Sequence, residues 1–280
     1  MKAWLRGFFY SFPVQLLFLH FRKYKVLLLF WFILFATVNG SVTRDSRKMI
    51  ISTQPVRFMM RQPADTTNIP SSDPDGVDFV SFFAKQDPYN LRILTALRMN
   101  ATFPIVLPNV WLPSNPMIDV MDAGLRDNYG QETTLRFLSC FEDWIKDNTS
   151  GVLVLQINAR KAGGWEMPYL SDDIGDHATK PFLLLQHNWF KMMEYFQSDM
   201  LGYYSTRSAV PVYKIAFEYA VDNKQNKAAL NFHLTKREER DIVASINSSI
   251  NQKSFSQAME LFTRKAQADS IQQFFFRPRW

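Results

Sequence analysis

The chain has 280 residues, enough for one large domain or two small ones, and its 47% hydrophobic and 21% charged content excludes a disordered, collagen-like or low-complexity protein. A single cysteine, Cys140, excludes a disulfide framework and every Cys-based zinc finger or ribbon. The formal charge of +6 points at first to a nucleic-acid binder or a membrane-surface protein.

The positive charge is concentrated at the N-terminus. Residues 1–48 contain eight basic residues and one acidic residue, Asp45, for a net charge of +7. The rest of the chain contains 24 basic and 25 acidic residues, for a net charge of −1. Because no basic face is left for a phosphate backbone, the charge pattern argues against nucleic-acid binding and favours a membrane leader over residues 1–48.

Two apolar runs lie between the basic clusters of this leader. Residues 8–19, rich in aromatics, predict an interfacial helix. Residues 26–43 carry no charge and predict a transmembrane helix, because about 18 residues at about 1.5 Å rise just cross the hydrocarbon. Two alternatives stay open. One is a signal peptide cleaved before Ser41, which the mass of the mature N-terminus would reveal, and the other is a buried core helix.

Residues 49–234 show the pattern of an α/β domain. Strands are predicted over 49–52, 56–60, 118–121, 151–157 and 210–220, helices over 90–99 and 131–146, and a polar surface loop over 61–76. Asn128 and Gln131 have the spacing of the N-cap and N3 residues of the second helix. The order strand, helix, strand over residues 118–157 predicts a right-handed crossover in a parallel sheet.

Residues 235–280 predict a C-terminal helical segment. Thr235 and Glu238 form a capping box at its start, and Ser254 and Gln257 have the spacing of a second one. An apolar stripe along this segment predicts a face packed in a core: Phe255, Ala258, Met259, Phe262 and Ala266.

The strand at 118–121 ends in the turn Asp122-Ala123-Gly124. A carboxylate at the C-terminal end of a strand lies where open α/β sheets hold their functional groups. Small residues after it let the backbone turn sharply without covering the carboxylate. On these residues alone, a structural role for Asp122, as a cap of the turn or of the next helix, is the more economical interpretation.

A longer stretch of sequence around this turn resembles the patatin-like phospholipases. The stretch comprises Leu97-Arg98-Met99-Asn100-Ala101-Thr102-Phe103-Pro104, a short apolar run, the turn at Asp122 and then Asn128. The family motif is a helix ending in Ala-Ser-x-Ala-x-Pro, then a strand and Asp-Gly-Gly or Asp-Gly-Ala, with an Asn shortly after. Here Asn100 stands where Ser is usual, and Ala123 stands where the first Gly is usual. The segment 8–40 also resembles the membrane leader of a bacterial group within this family.

The resemblance implies a serine acyl hydrolase of lipids with a three-layer α/β/α fold and no metal or organic cofactor. It implies an anchor in the bacterial inner membrane by one pass, with most of the chain soluble and membrane lipids as both surface and substrate class. Asp122 would be the base of a Ser–Asp dyad, supported by Ala123, Gly124 and Asn128 in the turn. Burial would raise the pKa of this carboxyl and make proton abstraction feasible.

The other half of the dyad is missing from the sequence. No G-x-S-x-G elbow occurs, and the adjacent glycines Gly163 and Gly164 follow the aspartate, so no Gly-rich oxyanion loop precedes it. The resemblance thus covers the leader and the C-terminal part of such a domain, and it predicts little or no esterase activity. The second hypothesis is a membrane-anchored non-catalytic module, either a pseudoenzyme or a fragment whose open sheet edge a partner chain completes.

Other chemistry-bearing residues have plainer explanations, and no metal site is predicted. Cys140 lies within a predicted helix with no histidine near it in sequence, which predicts a buried structural thiol. His187 and His233 are isolated and belong to no motif. Four residues form a polar cluster that matches neither an EF-hand nor a zincin: Asp172, Asp173, Asp176 and His177.

Overall fold

The computed structural model of the chain describes residues 14–21, 37–61, 74–102, 108–159, 174–220 and 234–275, and its α/β class confirms the predicted one. The strands are β1 Val14–Phe21, β2 Thr37–Val42, β3 Lys48–Ser52, β4 Gly76–Asp78, β5 Val110–Leu112, β6 Ile118–Met121, β7 Thr149–Asn158 and β8 Val212–Glu218. The helices are α1 Phe79–Phe82, α2 Ile93–Asn100, α3 Gly124–Asp127, α4 Gln131–Cys140, α5 Glu142–Asn148, α6 Ile174–Arg207, α7 Lys236–Ser245 and α8 Ser249–Phe275.

These strands form two sheets. The larger has the order β4-β3-β2-β6-β5, and the smaller has the order β1-β7-β8. In the larger sheet β2 pairs antiparallel with β3 and with β6, β5 pairs antiparallel with β6, and β3 pairs parallel with β4. The predicted crossover within one parallel sheet over residues 118–157 is therefore wrong. Since β2 and β5 occupy both edges of β6, no edge remains for β7.

The chain divides into two compact units. One contains residues 17–153 and 165–213, and the five-stranded sheet lies within it. The other contains residues 1–16, 154–164 and 214–280.

The β2–β3 hairpin occupies the centre of the larger unit's sheet. Apolar Val38 and Val42 alternate along β2 with polar Asn39 and Ser41, and this period of two sends the two pairs to opposite faces. The loop between the strands is closed by a hydrogen bond of 2.8 Å from the Val42 N–H to the Arg47 carbonyl. The resulting register pairs residue 41 with residue 48.

The structure corrects part of the predicted leader. The prediction of a transmembrane helix over 26–43 is wrong for Thr37–Val42, because these residues form β2 and pair with β3 and β6. The interfacial helix predicted over 8–19 is also wrong from Val14 onward, where β1 begins. Residues 22–36 lie outside the described residues. Within the parts of the chain that the structure describes, no helix combines the length and apolarity needed to cross a bilayer.

The two faces of the larger sheet differ in polarity. One face packs with α1 and α2 into an apolar core: Val42, Met49, Ile51, Phe79, Phe83, Ala96, Met99, Leu112 and Val120. The opposite face carries Asn39, Ser41 and Lys48, all of them buried. Asn39 Nδ2 donates to Thr133 Oγ1 of α4 at 2.9 Å, so this polar face packs against α4.

Several predicted elements are confirmed, and two are corrected. β3, β6, β7 and α2 lie where the sequence predicted them, and the helix predicted over 131–146 is divided into α4 and α5 at Phe141. The strand predicted over 56–60 is instead a 3-10 helix, Arg57–Met59, because the Asp78 carboxylate accepts the Val56 N–H at 3.0 Å and holds a turn there. Residues 62–73 of the predicted loop are outside the described residues.

The second unit contains the C-terminal helices. The capping box of Thr235 and Glu238 is confirmed at the start of α7. Ser254 lies inside α8, where its hydroxyl donates to the Ala216 carbonyl at 2.6 Å, so the second predicted capping box is wrong. The stripe is not a buried face throughout, because Phe255 is 43% exposed and Met259 is 64% exposed.

Gly40 provides a test of the packing between β2, β6 and α2. A Cβ at this position would lie 2.5 Å from Val120 Cγ1 and 3.5 Å from the Met99 carbonyl oxygen. We expect Gly40→Ala to lower the free energy of unfolding by about 1–3 kcal/mol because it overpacks the core. Gly202→Ala is the control, since a Cβ there meets nothing within 4 Å and α6 should gain about 0.5–1 kcal/mol. Equal urea midpoints for the two variants would contradict this packing.

Candidate functional site

The predicted catalytic residue, Asp122, is the first residue after β6 and comes two residues before α3. The end of α2 fixes its backbone: the Asp122 N–H donates to the Thr102 carbonyl at 3.0 Å, and the Ala123 N–H donates to the Asn100 carbonyl at 3.2 Å. Asn100 also donates from Nδ2 to the Asn39 carbonyl at 2.8 Å. Asn100 therefore ties the acidic turn to β2.

Gly124 holds one oxygen of the carboxyl group. Its N–H donates to Asp122 Oδ1 at 2.5 Å. A Cβ on Gly124 would lie 2.7 Å from Asp122 Oδ1 and 2.8 Å from Asn128 Oδ1, so no larger residue fits without displacing both side chains. Of the three predicted supporting residues, Gly124 thus donates to the carboxyl, Asn128 lies next to Gly124, and Ala123 is buried in the same turn.

Burial changes the acidity of Asp122. Desolvation raises its pKa from 3.8 to about 6, against the opposing effect of the Gly124 hydrogen bond, because the charged form loses more hydration than one N–H returns. Among the described residues, the Asp122 carboxyl accepts a hydrogen bond only from the backbone N–H of Gly124. A carboxyl with this pKa is half ionised near pH 6 and mostly ionised at neutral pH, and its carboxylate is basic enough to take a proton from a nearby hydroxyl or water.

The prediction of Asn128 as the N-cap of α4 is wrong, because Gly130 occupies the N-cap position and Asp127, the neighbour of Asn128, serves the first turn of the helix. The Asp127 carboxylate, and not Asn128, caps α4 by accepting the Glu132 N–H at 3.1 Å and the Thr133 N–H at 3.0 Å. Gly130, with φ of +66°, turns the chain so that residue 127 reaches the helix start. Asp127 also accepts Gln197 Nε2 of α6 at 3.0 Å.

A buried polar layer lies between the sheet and helices α4 and α6, formed by Asn39, Ser41, Lys48, Asp127, Glu132 and Gln197. Four side-chain atoms in it have no hydrogen-bond partner among the described residues: Asn39 Oδ1, Ser41 Oγ, Lys48 Nζ and Gln197 Oε1. Folded proteins rarely leave buried polar atoms unsatisfied, and a cluster of them marks a place where water or a ligand binds.

A network of ion pairs borders this layer. Lys48 Nζ lies 3.4 Å from Glu132 Oε1 and 3.9 Å from Asp127 Oδ2, and the Lys48 side chain is only 1% exposed. Arg126 and Arg136 both pair with Glu132, at 3.2 and 2.6 Å. They also share Asp75, at 2.6 and 2.5 Å, and these guanidinium groups hold the pKa of its carboxyl down at about 2. Three cations thus face three carboxylates.

A cavity of about 300 Å³ opens beside this network. Its lining combines polar residues of the sheet side with a largely apolar face of α6: Ser41, Ser46, Leu125, Arg126, Glu132, Trp189, Met192, Met193, Phe196, Gln197 and Met200. A cavity with apolar walls and a few polar groups is the usual form of a small-molecule site.

Comparisons of the chain with protein-family models, with curated proteins and with solved structures each gave no match. The chemistry of the site is therefore argued from its own residues. Two features carry that chemistry: the desolvated carboxyl of Asp122 and the cavity above the buried polar layer.

The sequence predicted Asp122 but missed the buried polar layer. Ser41 and Lys48 fell within the predicted leader, where Ser41 was a cleavage position and Lys48 a flanking cation. One signal could have identified them. Valines alternate with Asn39 and Ser41, and a short polar segment and a second apolar run follow. This pattern is typical of a β-hairpin.

The remaining sequence candidates do not join the site. Cys140 is exposed at the end of α4, so the predicted burial is wrong, although partial desolvation raises the pKa of its thiol and disfavours the thiolate. The side chains of Asp172, Asp173, Asp176, His177, His187 and His233 lie outside the described residues, as do Gly163 and Gly164. Within the described ranges, no group of three His, Cys, Asp or Glu side chains could hold a metal ion.

The raised pKa of Asp122 predicts a pH-dependent stability. Below about pH 4 the carboxyl is protonated in both states; between about pH 4 and 6 it ionises first in the unfolded chain, so the folded state loses relative stability as pH rises. Asp122→Asn keeps an acceptor oxygen for Gly124 and abolishes this titration. We expect the free energy of unfolding of the variant to rise relative to that of the wild type as the pH increases from 4 to 7, by about 2–3 kcal/mol in total.

Urea unfolding of both proteins across this pH range measures the difference. The control is Asp119→Asn, a partly exposed aspartate in β6, the strand that precedes Asp122. A difference between Asp122→Asn and wild type that stays constant with pH would contradict the desolvated carboxyl.

Proposed function

We propose that the chain is a lipid acyl hydrolase domain of the patatin-like type, with Asp122 as the base of its dyad, and that it does not turn over esters by itself. The observation that carries the proposal is the surroundings of Asp122: the carboxyl lies in the turn directly after β6, the Gly124 N–H holds its Oδ1, and burial raises its pKa to about 6. We also propose that the chain has the three-layer α/β/α fold of that family.

In this proposal the two carboxyl oxygens have different roles. The Gly124 N–H holds Oδ1 and fixes the orientation of the group. Oδ2 has no hydrogen-bond partner among the described residues and is the oxygen that would take the proton of an attacking hydroxyl. With its pKa near 6, the carboxylate is present at neutral pH and is a stronger base than an ordinary aspartate.

One observation favours the second candidate, a membrane-anchored non-catalytic module. No hydroxyl or thiol among the described residues is hydrogen-bonded to Asp122, and the sequence has no G-x-S-x-G elbow. Such a module would be a pseudoenzyme or would need a partner chain that completes a sheet and supplies the nucleophile. A stable, monodisperse monomer in size-exclusion chromatography would count against an incomplete sheet.

We also propose that the basic N-terminal segment before β2, residues 1–36, attaches the chain to membrane lipids, and the same resemblance suggests the bacterial inner membrane. Because β2 begins at Thr37, the uncharged run before it is limited to residues 26–36. This run is shorter than the about 17–25 residues of a helical span, so attachment at the membrane interface fits the chain better than the single pass that its composition predicted.

The test of the catalytic proposal is hydrolysis of a short-chain nitrophenyl ester by the purified full chain. We expect turnover at or near the uncatalysed rate, because removal of a nucleophile costs about six orders of magnitude in a serine hydrolase. Any enzymatic turnover should fall by about 10²-fold or more in Asp122→Asn and be unchanged in Asp119→Asn. Turnover that persists in Asp122→Asn would contradict the role of Asp122 as the base.

A further inference from the structure

The cavity beside α6 has a continuous apolar wall. Trp189, Met192, Phe196 and Met200 follow one another at helical spacing, so they share one face of α6. Each remains 40–62% exposed, although each has a large apolar side chain. An apolar surface of this kind, open to solvent beside a cavity, is stabilised when an apolar group covers it.

The opposite side of the cavity offers hydrogen-bonding groups that lack partners. Ser41 is 1% exposed and Gln197 is 4% exposed, and both line the cavity. Ser41 Oγ and Gln197 Oε1 have no hydrogen-bond partner in the described part of the chain. Because Gln197 Nε2 donates to Asp127 Oδ1, the unpartnered atom of that amide is the acceptor. A ligand must therefore donate a hydrogen bond to Gln197, and a hydroxyl group also suits Ser41.

The charges around the cavity exclude an anionic head group. The Glu132 carboxylate is part of the lining. The guanidinium of Arg126 also lines the cavity, but it already pairs with Asp75 at 2.6 Å and with Glu132 at 3.2 Å. No unpaired cation in the lining is left to neutralise a phosphate or a carboxylate, and a second anion beside Glu132 would be repelled.

We propose that this cavity binds an uncharged, hydroxyl-bearing amphiphile, with its polar end and first methylenes inside the cavity. A ligand hydroxyl hydrogen-bonds Ser41 Oγ and Gln197 Oε1, and the apolar chain of the ligand lies on the apolar wall of α6. Asp122 does not line the cavity, so this inference does not rest on the proposed hydrolysis.

The experiment is calorimetric titration of the full chain, kept soluble in amphipol, with 1-decanoylglycerol and with decanoate as the anionic probe of equal chain length. We expect 1-decanoylglycerol to bind at least about tenfold more tightly than decanoate. Ser41→Ala should weaken its binding by about three- to tenfold, because one neutral hydrogen bond is lost. Asp122→Asn should leave this affinity unchanged, which separates the inference from the fate of the hydrolase proposal.

A matched pair of variants tests the apolar wall. Met192→Lys places a charge in the wall and should weaken binding by about tenfold or more, whereas Met259→Lys, at an exposed methionine of α8 outside the cavity, should not change it. Equal affinities for the two probes, or binding that Ser41→Ala and Met192→Lys leave intact, would overturn the proposal. A homodimer that Met192→Lys dissociates would overturn it in favour of a second copy of the chain on this face.

Discussion

The larger unit depends on the ammonium group of Lys48, which is buried beneath its central hairpin. Taking such an ion out of water costs several kcal/mol unless opposite charges surround it. Glu132 and Asp127 provide these charges at 3.4 and 3.9 Å. Burial lowers the pKa of Lys48 and the two carboxylates oppose that effect. Because one residue lies on the sheet and the others lie on α3 and α4, their attraction fixes how sheet and helices pack.

The same network positions both parts of the site. α3 begins two residues after Asp122 and carries Leu125 and Arg126 to the cavity lining. Asp127, at its end, holds α6 through Gln197 and therefore helps to place the apolar wall. A single turn of helix thus joins the desolvated carboxyl to the cavity, and rearrangement of the ion pairs would alter both.

The elements that sequence alone predicts well are those whose signals are local. β6, β7, α2 and the α7 capping box follow from alternation, helical spacing and cap residues within a few positions. The role of Lys48 could not be predicted in this way, since its partners Glu132 and Asp127 are far along the chain and only the folded sheet brings them together. β2 could not be predicted for a related reason. It continues an apolar run, and it is a strand because it pairs with β3 and β6, not because of its own composition. The separation of β6 from β7 likewise depends on the pairing of β2 with β6.

The central claim is that Lys48 belongs to the folded core and not to a membrane leader, and a matched pair of neighbouring variants tests it most directly. Lys48→Met removes the ion pair of the buried Asp127 carboxylate and one of the three cations around Glu132, and we expect it to lower the free energy of urea unfolding by about 3–5 kcal/mol. Arg47→Met removes only a surface pair with Asp45 and should cost less than about 1 kcal/mol. Equally small losses for the two variants would contradict the account.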